Sequence, residues 1–230
     1  MPARERAKEE EMTDRIAPHD REIILSRVYP ELVNGERNQD LLRTAACTAI
    51  GDMAVIWYYH DPDTSEKFLV TEDKLKRWNT TEHNLFFRSL DNADRGSVVY
   101  VNTDYIPIRL FADMTGKGTE MTAYRCEGGI TGAAAMLQNG VLVRFADKHG
   151  DIYIIPYDTD KVYLIPETET EKSGVSADTL KKSLYELDRR ADKEVLSDSL
   201  YSFSLKDCRI RDLGRYIPQD DRRKENKNIC

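Results

Sequence analysis

Ser197-Asp198-Ser199 is the polar cluster of this chain with the residue types best suited to meet a ligand. Two hydroxyls and a carboxylate in a row can line a pocket rim, or they can close a turn by accepting neighbouring backbone N–H groups. Their place between a helical run and a strand run favours the turn. Trp78 follows Lys74-Leu75-Lys76-Arg77, and an aromatic ring beside cations can stack a nucleobase. No further aromatic–basic interleaving follows, so a core anchor is the favoured reading of Trp78, as it is of Trp57 inside its apolar run. Ser197, Asp198, Ser199 and Trp78 are the candidate binding residues. No catalytic residue, metal ligand or cofactor is assigned.

Other chemistry is tested and set aside. Met114-Thr115-Gly116-Lys117-Gly118-Thr119 resembles a phosphate loop, but Phe111 stands where the first glycine belongs and Gly118 where a magnesium-binding hydroxyl belongs. A polar turn fits it better. His19, His60, His83 and His149 are scattered and lack the helical spacing of a metal site. Cys126 and His149 flank neighbouring elements and could form a thiol–imidazole pair only if the fold brings them together. Asp61 with Asp63, Asp91 with Asp94, and Asp158 with Asp160 fall in turn-like contexts, where Asp caps backbone N–H groups. Glu167, Glu169 and Glu171 alternate with threonine and read as a solvated loop.

Composition bounds the class. The 230 residues are 40% hydrophobic and 33% charged, with a net charge of −7. That apolar share supports a core, the charged share exceeds the usual value of about 25%, and the acidity argues against a general binder of phosphate backbones. No run approaches the roughly 18 apolar residues of a membrane span. The first residues, MPARERAKEEEMTDR, are charged throughout and carry no secretory apolar region. Cys47, Cys126, Cys208 and Cys230 lie far apart, which fits reduced thiols in a bacterial-type cytoplasm.

The elements that must position these groups are read from periodicity. Asp151–Pro166, DIYIIPYDTDKVYLIP, holds two matching apolar runs that each end in proline, around a polar connector. This is a β-hairpin. Ile23–Tyr29 reads as a strand. Asn38 or Asp40 caps a short helix through Leu41, Leu42 and Ala45. Met53–Tyr59 is a buried strand and Lys67–Val70 another. Thr71 caps a helical turn, and Thr80 or Thr81 opens a helix with Leu85, Phe86, Phe87 and Leu90 on its apolar face. Val98–Val101, Met121–Cys126 and Ala133–Leu137 are short apolar runs. A helix over Asn139–His149 stops at Gly150. Ser176 caps a helix from Ala177 to about Asp192 with Leu180, Leu184 and Leu187 on one side. Tyr201–Ser204 and Cys208–Ile210 close the domain as short strands. The fold class is α+β: a mixed, mostly antiparallel sheet built on hairpins with helices packed on it. Residues 1–19 are expected to form a disordered or frayed helical arm, 20–212 a single domain, and 213–230 a disordered charged tail.

Three segments resemble an uncharacterised bacterial family known only by a domain-of-unknown-function label. They are Leu32–Asn38 with Leu41-Leu42 and Asp52–Ile56; Lys74–Trp78 with Thr81-Glu82; and Gly132-Ala133-Ala134 through the hairpin to Val195–Tyr201. They keep their order and approximate spacing over about residues 22–211. The likeness is to the family's C-terminal part, the usual N-terminal α/β region being absent here, and Asn102–Gly118 matches poorly. The resemblance implies a cytoplasmic bacterial protein and supplies no catalytic residues.

Function is therefore expected to be a non-enzymatic intracellular protein-binding or regulatory module, in which a sheet edge accepts a partner's strand. The alternative is a small hydrolase-like enzyme whose site brings together Asp52, Asp198, Cys126 or His149. A third reading gives nucleic acid to Arg222, Arg223, Lys224 and Lys227 of the tail, though Asp220, Asp221 and Glu225 dilute that charge.

Overall fold

The structure, a computed structural model, describes residues 18–96, 98–104, 121–138, 140–190 and 195–218. The expected arm before Pro18, the glycine–lysine turn at 114–119, and the tail cations lie outside these residues. The chain gathers into two compact units, one of Met1–Tyr100 with Glu127–Val141 and one of Val101–Cys126 with Leu142–Cys230.

The first unit opens with helix α1 (Pro18–Leu25) and strand β1 (Val28–Asn34). The expected strand over Ile23–Tyr29 is thus the end of a helix and the start of a strand. A short apolar run has no period of its own, and here burial falls on Ile24 and Leu25 while Ile23 stays exposed. Short helix α2 (Gln39–Leu42) leads to β2 (Cys47–Ile50), β3 (Met53–His60) and β4 (Lys67–Leu69). β3 is the spine of this sheet. β1 pairs antiparallel with it along its length, while β2 and β4 lie end to end on the other side. The continuous apolar run of β3 follows from this central place, with Met53 through Trp57 all buried. Helix α3 (Glu72–Arg77) starts at Thr71, whose Oγ1 accepts the Lys74 N–H at 3.3 Å. Helix α4 (Glu82–Gly96) starts after Thr81, whose Oγ1 accepts the Asn84 N–H at 3.2 Å. Asp91 and Asp94 lie inside α4, so that pair belongs to a helix and not a turn.

The second unit is built on a sheet of strand order β10-β9-β7-β8-β6-β5. Its strands are β5 (Val99–Asp104), β6 (Ala123–Gly128), β7 (Ile152–Pro156), β8 (Lys161–Pro166), β9 (Ser199–Ser204) and β10 (Arg209–Arg215), and the division between units falls within β5 and β6. The hairpin is present: β7 and β8 pair antiparallel from Ile152↔Pro166 to Pro156↔Val162. Asp158 closes its turn by accepting the Asp160 and Lys161 N–H groups, each at 3.0 Å. A 3₁₀ turn of the first unit covers Ala133–Leu137, and helix α5 (Val141–His149), almost wholly in the second, follows it. Gly150 ends α5 with φ +85°, a backbone setting that favours glycine.

Glu167, Glu169 and Glu171 form helix α6 (Glu167–Ser173) rather than a loop. Gly174 terminates it in the left-handed region. Helix α7 (Ala177–Arg190) begins at Ser176, whose Oγ accepts the Thr179 N–H at 3.2 Å. Its Leu180 and Leu184 join Ile155, Tyr163, Ile165, Met121, Ala123 and Leu200 in one apolar cluster. The fold class is α+β, with mostly antiparallel sheets built on hairpins and carrying packed helices. Among the described residues no helix is long and apolar enough to cross a membrane.

Candidate functional site

The four candidate binding residues fall in two different units. Trp78 is 1% exposed, so neither face of its ring is available for stacking. It belongs to the first unit, and Ser197, Asp198 and Ser199 to the second. Ser197 is fully buried, and its Oγ accepts the Ser199 N–H at 2.9 Å, closing the turn that enters β9. Ser199 is buried too, and Asp198 alone of the three is half-buried.

The residues of the enzymatic alternative lie on separate elements. Asp52 sits in the first unit, in the turn between β2 and β3. Its carbonyl accepts the Gly35 N–H at 2.8 Å, and a Cβ on Gly35 would approach that oxygen to 2.9 Å. Cys126 is fully buried in β6. The His149 ring lies against Phe145 and Tyr124, with centroids 4.5 and 4.8 Å away. Burial and Lys148 push its pKa down, while Glu169 opposes them. Among the described residues no group of three His, Cys, Asp or Glu side chains is placed to hold a metal.

A charged cluster that sequence spacing does not reveal lies on the first sheet, because strand pairing alone joins its members. Lys67 Nζ meets Glu31 Oε1 at 2.7 Å and lies 4.5 Å from the Tyr58 ring centroid. His60, paired across to Lys67, meets the Tyr29 ring edge-on at 5.0 Å. Burial lowers the His60 pKa, Glu31 raises it and Lys67 lowers it further. Burial and Glu31 raise Tyr58. Lys67 and Glu31 satisfy each other, while His60 Nε2 is buried with no hydrogen-bond partner among the described residues.

Sheet margins carry the remaining chance for recognition, and they differ. In β1 the His60 N–H bonds to the Arg27 carbonyl at 2.9 Å, and Gly35 bonds to Asp52 in the same phase. Alternation therefore turns Val28, Pro30, Leu32 and Asn34 outward. Pro30 has no N–H to offer. Asn92 Nδ2 caps the Val28 carbonyl at 2.9 Å, and Asn38 caps that of Asn34 through its N–H at 3.2 Å and its Nδ2 at 2.9 Å. That margin is blocked at Val28, Pro30 and Asn34. On the opposite margin β2 and β4 have only four and three residues, and Lys74 Nζ takes the Leu69 carbonyl at 2.9 Å.

β10 differs. It has seven residues, lies wholly in the second unit and ends the strand order. Its regular pairing with β9 runs from Arg209↔Ser204 to Asp212↔Tyr201, before a bulge ahead of Arg215. Gly214 allows that bulge with φ +78°, and its N–H bonds to Asp212 Oδ1 at 2.6 Å. Arg209, Arg211, Asp212 and Arg215 are exposed, and Ile210 is half-buried. Arg211 pairs with Asp207 of the preceding turn. Beyond β10 the chain turns to α7, where Tyr216 meets Tyr185 at 5.7 Å between centroids. Among the described residues no strand lies outside β10. Composition alone could have flagged this segment, because Arg209, Arg211 and Arg215 punctuate an acidic chain.

Comparison with family models matches residues 3–205 to one described as a family of unknown function, DUF5688, in keeping with the three resembling segments. No curated protein and no solved structure matches the chain.

Proposed function

We propose, for a chain that belongs to the DUF5688 family of unknown function, that it is a non-enzymatic intracellular protein-binding or regulatory module working by strand addition. The observation that carries this is the contrast between margins. β1 is blocked at Val28, Pro30 and Asn34, whereas β10 presents the outer side of its regular stretch, Arg209–Asp212, at the end of its sheet. A strand added to such a margin gains main-chain hydrogen bonds without covalent chemistry. The hydrolase alternative, which rests on Asp52, Asp198, Cys126 and His149, has no comparable observation behind it.

Site-specific cross-linking tests it. A photo-reactive residue at Arg209 should capture the same partner repeatedly in native lysate, while one at Glu31, beside the blocked margin, should not. Equal capture from both positions, or none from Arg209, would count against strand addition at β10.

A further inference from the structure

We infer that the β10 margin selects an extended acidic–apolar partner strand, with acids at alternate positions opposite Arg209 and Arg211 and an apolar residue between them opposite Ile210. This rests on the strand-addition reading above and names the partner's chemistry. Only Arg209–Asp212 keep regular pairing with β9 before the bulge, so the usable margin is short. Side chains alternate between faces along a strand. Arg209 and Arg211 therefore share one face with Ser202 and Tyr153 along the register, and Ile210 and Asp212 share the other with Phe203 and Tyr201. A strand laid beside β10 meets this same alternation in its own side chains. Glu or Asp two residues apart then faces both guanidiniums, an apolar residue covers half-buried Ile210, and a basic or polar residue suits Asp212.

The same charges work against self-association. A second copy pairing along β10 would set arginine rows against each other, and like charges across neighbouring strands repel. Exposed charge on an edge strand protects it from indiscriminate pairing. A cationic row extends that protection to neutral and basic strands, so opposite charge becomes the entry condition. The Arg211–Asp207 pair does not cancel the row, because Lys206 and Arg209 add to it in an exposed hairpin.

The test uses the full chain and fluorescent peptides of about six residues, read by anisotropy at low ionic strength. One peptide alternates Glu with Val, one replaces Glu by Gln, and one replaces it by Lys. Two further acidic peptides carry N-methyl groups on every second amide, one in each phase. Each opposite-charge pair across strands is worth a factor of about 1.5 to 5, so the Glu peptide should bind several-fold more tightly than the Gln peptide and the Lys peptide least. Arg209→Glu should remove the preference and Arg209→Lys should retain it. One N-methyl phase should abolish binding. If Gln and Glu peptides bind equally while N-methylation still abolishes binding, strand addition stands and the acidic specificity is overturned. If acidic peptides bind regardless of N-methylation, the contact is charge alone and strand addition is overturned. If no peptide binds, both are overturned.

Discussion

Trp57 shows how one residue can be read correctly as core while its partner escapes notice. Its ring is fully buried, and its Nε1–H donates to Ser89 Oγ at 2.9 Å. Ser89 in turn donates to the Phe86 carbonyl at 2.9 Å. The sequence points to Trp57 because it stands in an apolar run, but a serine on a helix looks solvent-facing. Ser89→Ala should cost about 1–3 kcal/mol in equilibrium unfolding, because it strands a buried indole donor. A change indistinguishable from zero would show that the bond contributes nothing. His60 makes a second residue-scale prediction. Its folded-state pKa lies below the ordinary imidazole value of about 6.5, so the unfolded chain binds its proton more readily. Its contribution to stability is then complete above that value and is lost as pH falls through the folded-state value. His60→Gln should lose less stability than the native chain between about pH 7.5 and about pH 5.5, with Glu31, Lys67 and Tyr29 unchanged around it. Equal loss would contradict the assignment.

At the scale of elements, legibility tracked periodicity. The hairpin, β3, α7 and the caps Thr71, Thr81 and Ser176 were readable because their signals are local: alternation, a single apolar run, or a hydroxyl ahead of a helix. Helix α6 was not, because three glutamates alternating with threonine show no apolar face. α4 was legible only in part. Leu85 and Leu90 are buried as expected, but Phe87 is exposed, and the polar Ser89 and Asn92 take inner places through hydrogen bonds. α6 makes a prediction of its own. Burial raises the Glu167 pKa, and Asp151 and Glu171 raise it further. A raised folded-state value means stability is complete below the unfolded value and declines as pH rises through the folded one. Glu167→Gln should therefore be more stable than the native chain near pH 7, by less than about 1 kcal/mol because water screens so exposed a group. The advantage should vanish near about pH 4. Destabilisation at neutral pH would refute it.

For the molecule as a whole, the α+β class followed from hairpin runs alternating with amphipathic helices. The division into two compact units was not legible, since the chain contributes two separate segments to each and no Gly-, Pro- or Ser-rich linker marks the crossings. The candidate site was legible least. Ser197, Asp198, Ser199 and Trp78 drew attention by residue type, and three of them are buried. Openness of a sheet margin depends on strand order and on distant caps such as Asn92 on Val28, which no local spacing encodes.

Hydrogen exchange of the backbone amides, in the full chain with and without the alternating Glu–Val peptide, bears most directly on whether β10 accepts a strand. At saturation, protection should rise within Arg209–Asp212 and stay unchanged in Val28–Asn34. A peptide that binds while the β10 amides exchange as before, or that protects β1 instead, would contradict the account.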